Sequence, residues 1–169
     1  MKGTVIVLSN DDSKTEQAQP IISGISCNRT EQLVYHIHAH IDVFVNGSRV
    51  QVPAYIGILP TFQCLYWLHT HSNDGLIHIE SPKVKSFTLG QFLEIWRQTG
   101  NNGESFFRSV SSMTFTIYVN GTEFFGSYQN LKLDSREQIT LAYGPLPANI
   151  PTYDFGNLDK PRVNNTKIQ

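Results

Sequence analysis

The sequence predicts an α+β domain, mainly β, in which a sheet carries one helix and an added N-terminal hairpin. Three observations predict it. Residues 34–53 alternate apolar and polar side chains around an Asn46-Gly47 turn. Residues 87–100 have helical periodicity and a capping box. Short apolar runs with strand character recur at residues 115–119 and 138–143.

Taken in order, residues 1–32 read as a polar N-terminal tether that becomes ordered near Cys27. The domain is expected over 33–144. Tyr35, Ile37, Ala39, Ile41, Val43 and Val45 fall on one face of the first strand; His36, His38, His40, Asp42 and Phe44 fall on the other. Asn46-Gly47 is the preferred pair for a type I′ turn. A two-residue loop there sets Val43 opposite Val50 and Ile41 opposite Val52, with residues 48–53 as the returning strand.

A second hairpin is expected over 65–80, turning at Ser72-Asn73-Asp74-Gly75. A two- or four-residue loop there would set His71 opposite His78 and His69 opposite Glu80. A three-residue loop would break that register.

In the helix, Thr88 as N-cap and Gln91 three residues on make the capping box, and Phe87 with Phe92 the hydrophobic staple. Leu89, Phe92, Leu93 and Trp96 follow i, i+3, i+4, i+7, and Gly100 is placed to terminate. Residues 101–112 read as a polar connection and 145–169 as a surface-hugging or loose tail. The order hairpin, helix, strand, short strand, final strand is that of a β-grasp sheet. Over 115–144 it looks like the second half of ubiquitin-like domains, with a β-sandwich as the alternative. Fold analogy of this kind carries no function.

The 169 residues fit one domain, and a net charge of −1 with pI near 6.6 gives no electrostatic drive toward nucleic acid or an anionic membrane. The apolar run in residues 4–8 is too short for a membrane span or a signal-peptide core, so a natural leader or anchor is expected to precede the chain. Cys27 and Cys64 suit one disulfide in an oxidising compartment, and equally two buried thiols. Four Asn-X-Ser/Thr sequons occur, at Asn28, Asn46, Asn120 and Asn164, two of them inside Asn-Gly turns.

All six histidines lie between residues 36 and 78: His36, His38 and His40, then His69 and His71, then His78 two residues before Glu80. Their spacing puts them in phase on the polar face of neighbouring strands. Two imidazoles at i, i+2 can reach one ion while the residue between packs inward. Three histidines and a water make an open zinc site, and copper(II) also favours imidazole. One or two ions of zinc or copper(II) are therefore the expected cofactor. Glu80 is the first-ranked carboxylate, as ligand or as acceptor fixing an imidazole tautomer; Asp42 follows, and Asp74 reads as a turn residue. The competing reading is an interface whose histidines charge together near pH 6.

Other constellations are weaker. Cys64 five residues before His69 invites comparison with blue-copper sites, but Met1 and Met113 are remote and a disulfide would remove the thiolate. Ser72, His71 and Asp74 have the residue types of a triad at a spacing that rarely converges. Tyr66 and Trp67 would either wall a ligand site or pack in the sheet.

The series Tyr-His-Ile-His-Ala-His-Ile-Asp-Val-Phe-Val-Asn-Gly, Cys-Leu-Tyr-Trp-Leu-His-Thr-His, Gly-Leu-Ile-His-Ile-Glu-Ser-Pro and Thr-Leu-Gly-Gln-Phe-Leu-Glu-Ile-Trp resembles a group of uncharacterised secreted or membrane-anchored bacterial and archaeal proteins, over residues 27–144. The resemblance implies that the six histidines and Glu80 are the signature, that Cys27 and Cys64 form a disulfide, and that the protein works outside the cytoplasm. Relatives usually carry an acidic residue after the second His-Thr-His histidine; this chain has Ser72.

Three functions follow as expectations. The first is an extracytoplasmic binder of zinc or copper(II). The second is a metalloenzyme with Glu80 as general base acting on metal-bound water. The third is a structural or adhesive module fastened by metal. Metal ions are the expected partners, with a second copy of the chain as a further candidate.

Overall fold

The computed structural model describes residues 20–159; the expectations for residues 1–19 and 160–169, Asn164 included, lie outside them. The chain opens with a hairpin, β1 (Ile21–Ile22) and β2 (Ile25–Asn28), turning at Ser23-Gly24 with both residues at positive φ. This corrects the reading of residues 20–32 as tether. Strands this short carry too little alternation to stand out, and β2 is held by its ladder to β6, by Ile25 in the core and by the Cys27–Cys64 disulfide.

The long strand β3 (Tyr35–Val45) follows, then β4 (Ser48–Val50). Val43 pairs with Val50 as expected, and Asn46 and Gly47 both have positive φ. The returning strand stops at Val50, so Val52 is buried but outside the ladder. Next come β5 (Ile58–Leu59), β6 (Cys64–Tyr66), β7 (Leu68–His69) and β8 (Leu76–Ser81). The segment expected as one strand from Leu65 breaks at Trp67. Before it, β6 joins β2 and β5 in a small sheet; after it, β7 joins the main one.

Helix α1 (Leu89–Thr99) has the predicted capping box, with Thr88 and Gln91 each accepting from the other's backbone N–H. Gly100 ends it with an extended backbone (φ −70°), not a left-handed one. A second helix, α2 (Gly103–Ser109), replaces the expected polar connection. Seven residues beginning on a glycine give no readable period. Tertiary packing forms it, with Phe106 stacked on Trp96 at 5.4 Å between ring centroids. Strands β9 (Phe115–Val119), β10 (Thr122–Glu123) and β11 (Glu137–Tyr143) complete the chain.

The main sheet has seven strands, ordered β10-β9-β11-β3-β8-β7, with β4 beside β3. The central pair, β3 and β11, is parallel. A parallel pair requires a crossover, and α1 lies within it. This is the β-grasp order, with β3 and β8 as the first hairpin and β4 to β7 inserted between them. The expected "added" hairpin is therefore part of the sheet, and an antiparallel sandwich would not contain the parallel pair. Beneath the sheet, Ala39, Ile41, Ile77, Ile79, Ile139 and Leu141 share one core with Phe92, Ile95 and Trp96 of α1 and with Ile25 and Tyr66 of the small sheet.

Gly75 shows how closely the strands approach. Its φ is +91°, and a Cβ there would lie 2.2 Å from the Ile41 carbonyl oxygen. Its own carbonyl accepts from the Ile41 N–H at 2.9 Å. Gly75→Ala is expected to lower the melting temperature through both strain and clash, as measured by calorimetry. An unchanged melting temperature would contradict the approach.

Candidate metal centre

Three adjacent strands place the histidines. On β3 the period of two brings His36 and His38 to one face, and the β3–β8 ladder sets His36 opposite Glu80 and His38 opposite His78. On the other side of β8, His69 of β7 also stands opposite His78. This corrects the expected pairs, His71 with His78 and His69 with Glu80. The register is displaced by two residues because the connection from His69 to Leu76 is longer than the four-residue turn expected. Beyond His69 the chain turns away: the Thr70 N–H donates to Ile56 O, and the Tyr55 N–H to Thr70 O. His71 thus leaves the ladder, yet its ring still reaches His78, with centroids 4.6 Å apart.

Two nitrogen pairs result. His36 Nε2 lies 3.1 Å from His38 Nε2, and His69 Nε2 lies 3.2 Å from His71 Nε2. At zinc–nitrogen distances of 2.0–2.1 Å, two ligands on a tetrahedral ion are about 3.3 Å apart, so each pair matches one edge of such a polyhedron. With His78 they form two groups, His36/His38/His78 and His69/His71/His78, whose donor atoms lie within 4.8 Å of one another.

Each pair has one ring whose tautomer is set from outside. His69 Nδ1–H donates to Tyr66 O at 2.9 Å, leaving its Nε2 lone pair free. His38 Nδ1–H donates to Asp159 Oδ1 at 2.6 Å, with the same consequence. Fixing the far nitrogen on an oxygen acceptor is how metal-binding histidines are oriented. Burial lowers the His69 pKa to about 4 and pushes His38 below its ordinary value, the latter against the pull of Asp159. Both rings are therefore neutral near pH 7, the form that ligates.

Glu80 sits between the pairs, 2% exposed, with Oε1 3.3 Å from His36 Nε2 and 3.7 Å from His78 Nδ1. Burial alone would raise its carboxyl pKa. The imidazoles of His78, His69 and His36 around it favour the carboxylate, outweigh that and lower it. Its Oε2 and His78 Nδ1 are buried without a hydrogen-bond partner among the described residues. Buried orphans of this kind are costly, and a cation is the ligand that would satisfy a carboxylate oxygen and an imidazole nitrogen together.

Two contributors escaped sequence reasoning. Asp159 comes from the expected tail and also accepts from the His38 backbone N–H at 2.7 Å and from Ser135 Oγ at 2.9 Å. Burial would raise its carboxyl, but the ring and backbone bonds from His38 and the Ser135 hydroxyl bring it below the ordinary range. Glu31, from the expected tether, reaches His71 Nε2 at 3.5 Å and groups with His69 and Glu80. Neither segment has periodicity to mark it. The only sequence signal was that Glu31 follows Cys27 by four residues.

His40 is not brought to the cluster. Its Nε2–H donates to Asp74 O at 2.8 Å, Tyr153 stacks on its ring at 4.0 Å, and it belongs to neither histidine group. Across the ladder it faces Leu76, not a histidine, and with Asp42, Arg49 and Tyr153 it lines a separate cavity of about 510 Å³. Asp42 is committed to Arg49 at 2.6 Å. Asp74 is the turn residue expected, accepting from Ser72 Oγ and the Leu76 N–H, so no triad forms. Tyr66 lies in the core, and Trp67 donates its indole N–H to Asn28 and packs on Phe87. Neither walls the site with its side chain.

The buried imidazoles imply a pH dependence. The folded pKa of His69, about 4, lies below the unfolded 6.5, so the unfolded chain binds the extra proton first. Stability is full above pH 6.5 and declines as pH falls toward 4, by about 2 kcal/mol at pH 5 at 1.4 kcal/mol per unit. His38 and His40 act in the same direction. Urea midpoints of metal-free protein at pH 7 and 5 measure this, and equal midpoints would contradict it.

No family model, curated protein or solved structure matches the chain.

Proposed function

We propose that this chain is an extracytoplasmic protein that binds a transition metal, zinc or copper(II), on the histidines above β3, β8 and β7. The observation that carries the reading is the pair of fixed tautomers. His38 and His69 each commit Nδ1–H to an oxygen, while each Nε2 turns to a second histidine at 3.1–3.2 Å. A surface interface that charges on acidification would not need buried, neutral rings oriented in this way. Placement outside the cytoplasm is supported by the Cys27–Cys64 disulfide and by the motif resemblance to secreted or anchored proteins. No helix among the described residues is long and apolar enough to cross a membrane.

Purified native protein and protein titrated with zinc or copper(II) should contain the metal by elemental analysis. Less than about a tenth of an equivalent, with no uptake on titration, would sink the proposal. The cluster also joins three strands to Glu31, so binding should stabilise the fold. With free zinc at tenfold its Kd, linkage gives about 1.4 kcal/mol, or roughly 3–6 °C for a chain of this size. Calorimetry with and without chelator reads the shift. No shift at saturating zinc would place binding on the unfolded chain as well.

A further inference from the structure

We infer that the centre is dinuclear: one ion at the His36/His38 pair of β3, a second at the His69/His71 pair at the end of β7, and the Glu80 carboxylate between them. The inference rests on the metal-binding reading above and adds the number of ions and the division of ligands.

The geometry has two foci. β3 and β7 flank β8 on opposite sides, so their backbones are roughly 9–10 Å apart at a strand spacing of 4.7–4.9 Å. Within each pair the Nε2 atoms converge on each other. One ion bonded to all four rings would need every nitrogen within about 4.2 Å of every other, twice the longest zinc–nitrogen bond. His36/His38/His78 and His69/His71/His78 each gather within 4.8 Å, but no group among the described residues gathers both pairs. A single ion therefore fits either pair and does not fit both.

The residues between the foci suit a bridge. Glu80 Oε1 faces His36, and the Glu80 carboxylate also groups with His69 and Glu31. One carboxylate has two oxygens, and the second, Oε2, is a buried orphan. His78 stands between the pairs, its ring centroid 4.6 Å from that of His38 and 4.6 Å from that of His71. Glu31 reaches only the β7 side, 3.5 Å from His71. The sites are thus unequal: the β3 site has its supporting carboxylate Asp159 outside the coordination sphere, and the β7 site has Glu31 as an added oxygen ligand. Two different affinities follow.

The test is copper(II) titration followed by calorimetry and electron paramagnetic resonance, on the parent chain and on His36→Ala and His71→Ala. These two histidines are the partly exposed members, at 34% and 43%, so their loss spares the core. The parent should bind two equivalents in separable steps, and the second should broaden or quench the first ion's signal through magnetic coupling. Each variant should bind one equivalent with an isolated mononuclear spectrum. One equivalent in the parent overturns the dinuclear inference and leaves the metal-binding reading standing; none overturns both. Two equivalents retained in both variants, or two without coupling in the parent, overturn the assignment of the ions to these pairs.

Discussion

Replacing both cysteines, Cys27→Ala with Cys64→Ala, is expected to lower the stability of the fold by about 4 kcal/mol. The bond closes a loop with a sequence separation of 37. For a loop of that length the chain-entropy relation gives about 13 cal/mol/K, or about 4 kcal/mol at 25 °C. The location makes the loss matter. Cys27 lies in β2, which pairs with β6 through only two residue pairs, and β1 is held by β2. Without the cross-link the small sheet depends on that short ladder and on Ile22, Ile25 and Tyr66 in the core. At roughly 2–4 °C per kcal/mol for a domain of this size, the melting temperature should fall by roughly 8–16 °C. A fall under about 3 °C would show that the unfolded chain gains little freedom from the missing bond. Because Glu31 follows β2 closely, the double variant should also show weaker zinc binding at the β7 side.

Asp159→Ala should weaken zinc binding and destabilise the fold at once. The carboxylate accepts from His38 Nδ1, from the His38 backbone N–H and from Ser135 Oγ. Removing it releases the His38 ring to either tautomer, and loss of such a supporting acceptor typically costs 10–100-fold in metal affinity. It also strands a buried N–H, at about 1–3 kcal/mol. Asp159→Asn separates the two effects. The amide oxygen can still accept from the backbone N–H, so stability should largely return, while the lost charge keeps affinity below that of the parent. Competition titration against a chromophoric chelator reads the affinity, and urea unfolding the stability. Parent-like affinity in Asp159→Ala, within threefold, would remove Asp159 from the site.

Much of the candidate site was legible in the sequence because strand periodicity is a local property. The alternation through residues 35–45 put His36 and His38 opposite the apolar residues that the core buries, and the capping box of Thr88 and Gln91 placed α1 without any tertiary information. The two His-X-His pairs come from the same rule of two.

What spacing could not supply was where each ladder stops. The choice of His69 over His71 as the partner of His78 depends on Thr70 leaving β7 to bond with Tyr55 and Ile56, residues more than a dozen positions away. His40 stands apart because its cross-strand neighbour is Leu76 and its ring bonds the Asp74 carbonyl of the turn. Helix α2 exists because Trp96 offers its ring to Phe106, not because its seven residues favour a helix.

Local spacing is enough to assign the set of imidazoles and the face that bears it, since both are written within a few residues of each other. Which histidines meet, and that His40 stands apart, emerges from the packing of the sheet. The tertiary fold also brought in Asp159 and Glu31, from segments without a pattern, to orient and extend the set. The physical reason is that a side chain's direction on a strand follows from its parity. Its neighbours across strands follow from contacts distant in sequence, which local spacing does not encode.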